Sequence, residues 1–219
     1  MAKLILLRHF KSQWNLENRF TGWVDVPLLK EKSEKDKETS KRVLATGFEV
    51  VYTSPLIRNL DTVLKIFEEF PQKYPIFRYF REKIEKWSNF EELNKDYIPV
   101  FVSEALNERY YGKLQGLNKA ETIKKYGGDL VHKWRRSFDL SPPSGETLKD
   151  VCNRTIPFYK RYIEKDLKEE KNVLIVASHN SARAIIKYIE KISDNDIINV
   201  EMPFGGFIEY EFSNGAYKK

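Results

Sequence analysis

The sequence predicts an α/β fold: a three-layer sandwich in which a mostly parallel central sheet is covered by helices on both faces. Three observations point there. LILL at 4–7, EVVYTS at 49–54 and NVLIVAS at 172–178 are short apolar runs, of the kind found in strands buried on both faces. Each run ends in polar or basic residues. Between the runs, apolar residues recur at helical spacing, and strands alternating with helices build a parallel sheet.

Taken in order, the first strand ends at Arg8-His9, and Ser12, Asn15, Thr21 and Gly22 follow in loop. LKEKSEKDKETSKR at 29–42 mixes charges of both signs, as a solvated helix face does. The second strand ends at Thr53-Ser54, with Arg58 early in the next helix. The stretch from about 71 to 98 is aromatic, basic and bounded by prolines, and reads as a helical insert packed on the domain. Ser144 or Thr147 caps a helix with Leu148, Val151, Cys152 and Ile156 on one face, and Pro157 should kink or end it. The third strand ends at Ser178-His179-Asn180. Asn180 or Ser181 is the expected N-cap of a helix carrying Ala182, Ile185, Ile186 and Ile189. FIEYEF at 207–212 alternates, as an edge strand can. With no internal repeat or Gly/Ser linker, residues 1–219 form one domain.

Composition narrows the function classes. Hydrophobic residues are 41% and charged residues 32%, the balance of a soluble globular chain. The single cysteine excludes an internal disulfide and suits a reducing compartment. No apolar run approaches the ~20 residues of a membrane span. The start, MAKLILLRHF, lacks a small-residue cleavage site, so the cytoplasm is the default expectation. A net charge of +6 favours anionic ligands, but no nucleic-acid-binding motif accompanies it. There is no CxxC or HxxxH pattern, and His132 has no ligand-like spacing to His9 or His179, so no metal is expected.

In an open α/β sheet, ligands sit at the carboxyl ends of the strands. Here those ends bring two histidines, two arginines and a helix N-terminus toward one point. That donor set suits a dianionic phosphate.

RHFKSQWNLENRFTGWVDVPL, TSPLIR, LNERYYGKLQGLNKAET, KWRRSF, PPSGETLKD and NSARAIIKYIE resemble the successive signatures of the cofactor-dependent phosphoglycerate mutases, in the histidine phosphatase superfamily. The resemblance runs from residue 3 to about 212, apart from the 71–98 stretch. It implies an isomerase of glycolysis and gluconeogenesis that interconverts 3- and 2-phosphoglycerate. His9 would be the nucleophile, forming a phosphohistidine primed by 2,3-bisphosphoglycerate without a metal, and Glu108 the proton donor and acceptor. A glutamate in that role should titrate near working pH, which partial burial beside a phosphorylated substrate would suit. Arg8, Arg58 and His179 would surround the transferring phosphoryl group, with Ser12, Asn15, Thr21, Gly22 and Asn180 in the binding loops. Arg109, Tyr111, Lys119, Arg135 and Arg136 would hold the carboxylate and distal phosphate of the small phosphorylated substrate. Members of the family are often dimers or tetramers.

Two departures accompany the resemblance. The family's glycine after the first histidine is Phe10 here, where a Cβ would strain a positive φ or obstruct the phosphate. Around the second histidine, HGNS becomes SHNS, and an ungapped alignment sets Ser178 on the family's histidine. We take His179 for the role, because a serine supplies no cationic donor. A superfamily phosphatase, a phosphate-binding relative left weakly active by these two departures, and a non-enzymatic phosphate-binding or interaction protein that uses the basic aromatic 71–98 stretch are the alternatives.

Overall fold

The computed structural model describes residues 1–80 and 96–219. Strand β1 (Ala2–Arg8) shows how the layers form, because its side chains alternate between two cores. Leu4 and Leu6 pack with Tyr159, Ile185 and Ile186 on one side. Ile5 and Leu7 pack with Val43, Val63 and Ile66 on the other. All four are fully buried, and each such side chain removed from water contributes about 1.5–3 kcal/mol. Helices α2 (Glu34–Leu44) and α3 (Ile57–Phe67) supply the second core, while α6 (Leu148–Phe158) and α8 (His179–Glu190) cover the first. The three-layer expectation holds.

The other strands are β2 (Val50–Thr53), β3 (Tyr74–Tyr79), β4 (Tyr97–Val102), β5 (Val173–Ala177), β6 (Phe207–Ser213) and β7 (Ala216–Lys218). Among the described residues they form one sheet in the order β3-β4-β2-β5-β1-β6-β7. The first five are mutually parallel, and β6 and β7 are antiparallel. Register aligns the carboxyl ends: Arg8 pairs with Ala177, Thr53 with Val176 and with Val102. One rim of the sheet therefore gathers the residues that follow four strands.

Three local expectations are corrected. The 71–98 stretch is not simply a helical insert: Tyr74–Tyr79 and Tyr97 onward are strands, and residues 81–95 lie outside those described. YPIFRY is rich in aromatic residues that fit a pleated surface, and β3 is the edge strand, where Pro75 is tolerated. FIEYEF is not an edge, because the Asn214-Gly215 turn, positive φ at both residues, returns β7 alongside it. Helix α8 starts earlier than expected, with Ser178 as its N-cap in extended conformation. Elsewhere Thr147 caps α6 through Asp150, and α6 ends one residue past Pro157 in a π turn, Tyr159–Ile163.

Candidate active site

His9 leaves β1 with its backbone N–H donating to Ala177 O of β5 at 3.0 Å. Its ring Nδ1 donates to the carbonyl of Phe10 at 2.6 Å. A carbonyl only accepts, so the proton sits on Nδ1 and the Nε2 lone pair is free to attack. Burial, with Arg58 and Arg8 beside it, holds the imidazole well below its ordinary pKa. At neutral pH the ring is uncharged.

Phe10, the residue in place of the family's glycine, causes neither expected problem. It has no positive φ, and its N–H donates to Thr62 Oγ1 of α3 at 3.1 Å. Its ring, 2% exposed, packs into the core with Leu28 and Val43 instead of facing His9. Gly205 (φ +65°) makes room for it: a Cβ there would come within 3.2 Å of Phe10 Cδ1.

Around His9 stand buried cations. Arg58, at the start of α3, donates to the carbonyls of Gly22 (2.7 Å) and Val24 (3.1 Å). Gly22 turns its carbonyl there from a left-handed conformation, φ +57°. Arg8 donates to Met202 O at 2.5 Å and lies 3.7 Å from the centre of the Phe204 ring. Burial lowers both guanidinium groups to about 10, so both stay charged at neutral pH.

Glu108 sits in the loop after β4, and among the described residues its side chain accepts three hydrogen bonds, all at Oε1. The donors are Arg109 N–H (2.7 Å), Asn180 N–H (3.2 Å) and Asn180 Nδ2 (2.7 Å). Burial alone would raise its pKa, but His179, these donors and Arg58 outweigh it and hold the carboxyl at about 2. Full burial and a depressed pKa replace the expected partial burial and near-neutral titration. At neutral pH the group is therefore a carboxylate. An incoming phosphate dianion would raise its pKa toward that of an acid.

Of the Ser178-His179 pair, the histidine is the one that faces the cavity. His179 opens α8, lines the same cavity as His9, and donates from Nε2 to Glu201 Oε2 at 3.0 Å. Ser178 is fully buried, outside the lining, with Oγ accepting from Asn59 Nδ2 at 3.3 Å. Burial is the main cause that lowers His179 to about 4.

The cavity is about 180 Å³ and is lined by Arg8, His9, Asn15, Thr21, Gly22, Arg58, Glu108, Tyr111, Lys119, Arg135, Arg136 and His179. Helices α4 (Lys119–Tyr126) and α5 (Gly128–Arg136) bring its distal cations, Lys119, Arg135 and Arg136. Burial and mutual repulsion lower the pKa of Lys119 and Arg135.

Three expected residues stand behind the wall instead. Ser12 is the N-cap of the short helix α1 (Gln13–Leu16), donating to Asn15 Oδ1 at 2.8 Å. Arg109 is fully buried and donates to the Arg135 carbonyl (2.7 Å) and to Tyr111 Oη (3.3 Å). Asn180 orients Glu108. Sequence reasoning missed Arg19, Phe20, Glu201 and Phe204, which also line the cavity. Arg19 and Phe20 lay in the NRFTGW stretch already singled out, whereas EMPFGG carries no local signal.

The profile of the histidine phosphatase superfamily (branch 1) matches residues 4–97 and 88–218. A 2,3-bisphosphoglycerate-dependent phosphoglycerate mutase of Protochlamydia amoebophila (strain UWE25) is 41% identical over 223 residues, covering 100% of this chain and 99% of the relative. One from Methanococcus vannielii is 42% identical over 223 residues, covering 100% and 94%. Among solved structures, Bacillus stearothermophilus YhfR superposes with a TM-score of 0.76 over 100% of this chain and 95% of its own. At 21% identity that likeness concerns the fold alone.

Proposed function

The chain belongs to the histidine phosphatase superfamily, branch 1, and from that we propose that it interconverts 3-phosphoglycerate and 2-phosphoglycerate through a phosphorylated His9. Relatives about 40% identical over its whole length bear the name of that activity. The observation that carries the reading is a pair of anion-binding donor groups in one cavity. Arg8, Arg58 and His179 stand with His9, while Lys119, Arg135 and Arg136 come from α4 and α5. A phosphatase needs only the first group. A mutase must retain a substrate by its other end while a phosphoryl group moves.

The donors fit 2,3-bisphosphoglycerate as primer. Among the described residues, Arg8 Nε and Thr21 Oγ1 are buried without a hydrogen-bond partner, and both residues line the cavity. When bound, 2,3-bisphosphoglycerate supplies the phosphoryl group that primes His9. Arg8, Arg58 and His179 would hold that phosphate, and Lys119, Arg135 and Arg136 the remaining anionic groups.

In the transfer, His9 Nε2 bonds to phosphorus as the ester P–O bond breaks. Arg8, Arg58 and the His179 N–H stabilise charge on the phosphoryl oxygens, work that metal ions do in other phosphotransferases. Glu108, ionised at the outset, takes the proton of the substrate hydroxyl that attacks phospho-His9. It returns that proton to the leaving oxygen when His9 is rephosphorylated.

An enolase-coupled assay with and without 2,3-bisphosphoglycerate tests the proposal, alongside acid-labile phosphate on His9 and release of inorganic phosphate. Turnover that depends on the bisphosphate, with labelling lost in His9→Ala, is expected. Phosphate release that outruns isomerisation would make the chain a phosphatase, and absence of labelling would remove the enzymatic reading.

A further inference from the structure

Glu201 puts a carboxylate where the proposed chemistry calls for a bound anion. It precedes Met202, whose carbonyl is tied to Arg8, and it lines the cavity itself. One of its oxygens accepts from His179 Nε2 at 3.0 Å, and the other pairs with Arg136. The carboxylate thereby joins the donor next to His9 to the distal cation group. A carboxylate cannot donate, so the His179 proton must reside on Nε2. The same N–H is the one a phosphoryl oxygen would require.

The three side chains differ in freedom. His179 is 7% exposed and Arg136 18%, but Glu201 is 54% exposed. The acid reaches in from the solvent side and can rotate out, while its partners are held. We propose that Glu201 is an internal anionic latch: its carboxylate occupies the seat between His179 and Arg136, and an incoming phosphate displaces it into solvent. The latch also sharpens selectivity. A dianion that meets several cations at once displaces the carboxylate, whereas a neutral or weakly charged compound does not. His179 and Arg136 keep the Glu201 carboxyl at about 2, so it remains charged while it competes.

Competition of this kind lowers apparent affinity by the fraction of time that the seat is open. A latch closed about nine-tenths of the time weakens binding about tenfold. The inference rests on the pocket being an anion site, as proposed above, and not on the isomerase chemistry.

Calorimetric titration of inorganic phosphate into the whole chain and into Glu201→Gln and Glu201→Ala tests it. Both variants should bind phosphate roughly threefold to tenfold more tightly, by removal of the competing charge. The gap should narrow in high salt, because the carboxylate is half-exposed. In the coupled assay, KM for 3-phosphoglycerate should fall by more than kcat changes. Glu201→Asp, one methylene shorter, cannot span both partners and should fall between. Equal or weaker phosphate binding in the variants overturns the latch and leaves the anion site standing. Failure of every form to bind phosphate overturns both.

Discussion

Arg154 Nη2 donates to the backbone carbonyl of Glu108 at 2.9 Å, so helix α6 grips the loop that carries the proposed acid–base. Nη1 of the same guanidinium holds the carbonyls of Ala105 and Asn107, each at 3.0 Å. Glu146 aligns it through Nε at 3.0 Å, and Trp23 Nε1 makes a second contact to the Glu108 carbonyl at 2.5 Å. The Arg154 bonds are charge-assisted, and they hold the backbone that follows β4 outside the sheet.

Replacing Arg154 by Met should therefore lower kcat, by up to about 100-fold, with a smaller change in KM. Glu108→Gln, which removes the proton carrier itself, should lower kcat by about 10²–10⁴-fold. Steady-state kinetics on both variants check the ordering. An Arg154→Met enzyme with wild-type kcat would show that the loop holds itself.

Stability should fall on mild acidification. His9 and His179 bind protons more weakly in the folded chain than their ordinary imidazole value, His179 at about 4. Above about pH 6.5 both are neutral folded and unfolded, and contribute no pH dependence. Below it the unfolded chain takes up protons first. Stability then drops by up to about 1.4 kcal/mol per pH unit for each histidine until the folded value is passed. Glu108 acts lower: its depressed pKa stabilises fully above its ordinary 4.5 and is lost only as pH falls toward about 2. Urea unfolding at pH 7 and pH 5 should show the loss, and His179→Asn should reduce it.

Phe10 is a stability residue. Phe10→Ala should cost about 3–5 kcal/mol, because its buried ring leaves a cavity among Leu28, Val43 and their neighbours. KM of the folded fraction should move little, since the ring faces away from the cavity. Thermal melting paired with kinetics at low temperature separates the two effects.

Arg135→Gln should raise KM for 3-phosphoglycerate by about 10–100-fold, the worth of one or two charge-assisted hydrogen bonds. It should also raise the ratio of phosphate release to isomerisation, because the distal end is held less firmly. Both products can be followed in one reaction. An unchanged ratio would separate Arg135 from retention of the intermediate.

Much of this was legible in the sequence because it is local or repetitive. Apolar runs ending in Arg8-His9, Thr53-Ser54 and Ser178-His179 placed the three core strands and the rim they share. Long motifs identified Glu108, Lys119 and the Arg135-Arg136 pair, which the fold brings to the cavity of His9. The turn at Asn214-Gly215 is legible too, as the N-G signal of a hairpin, whereas the alternation of FIEYEF is only compatible with an edge.

What the tertiary structure alone decided depends on direction and on distant partners. The SH pair of SHNS does not reveal which of its two side chains faces the cavity. Capping by Ser178 starts α8 at His179, which turns the histidine into the cavity and the serine toward Asn59. Phe10 is harmless because a glycine 195 positions away leaves space for its ring. Glu201 meets His179 and Arg136 only because the loop before β6 is tied to the end of β1. The sequence by itself determined which chemistry-bearing residues the rim would carry. Packing across the sheet decided which of them face the cavity, because side-chain direction is set by neighbours far along the chain.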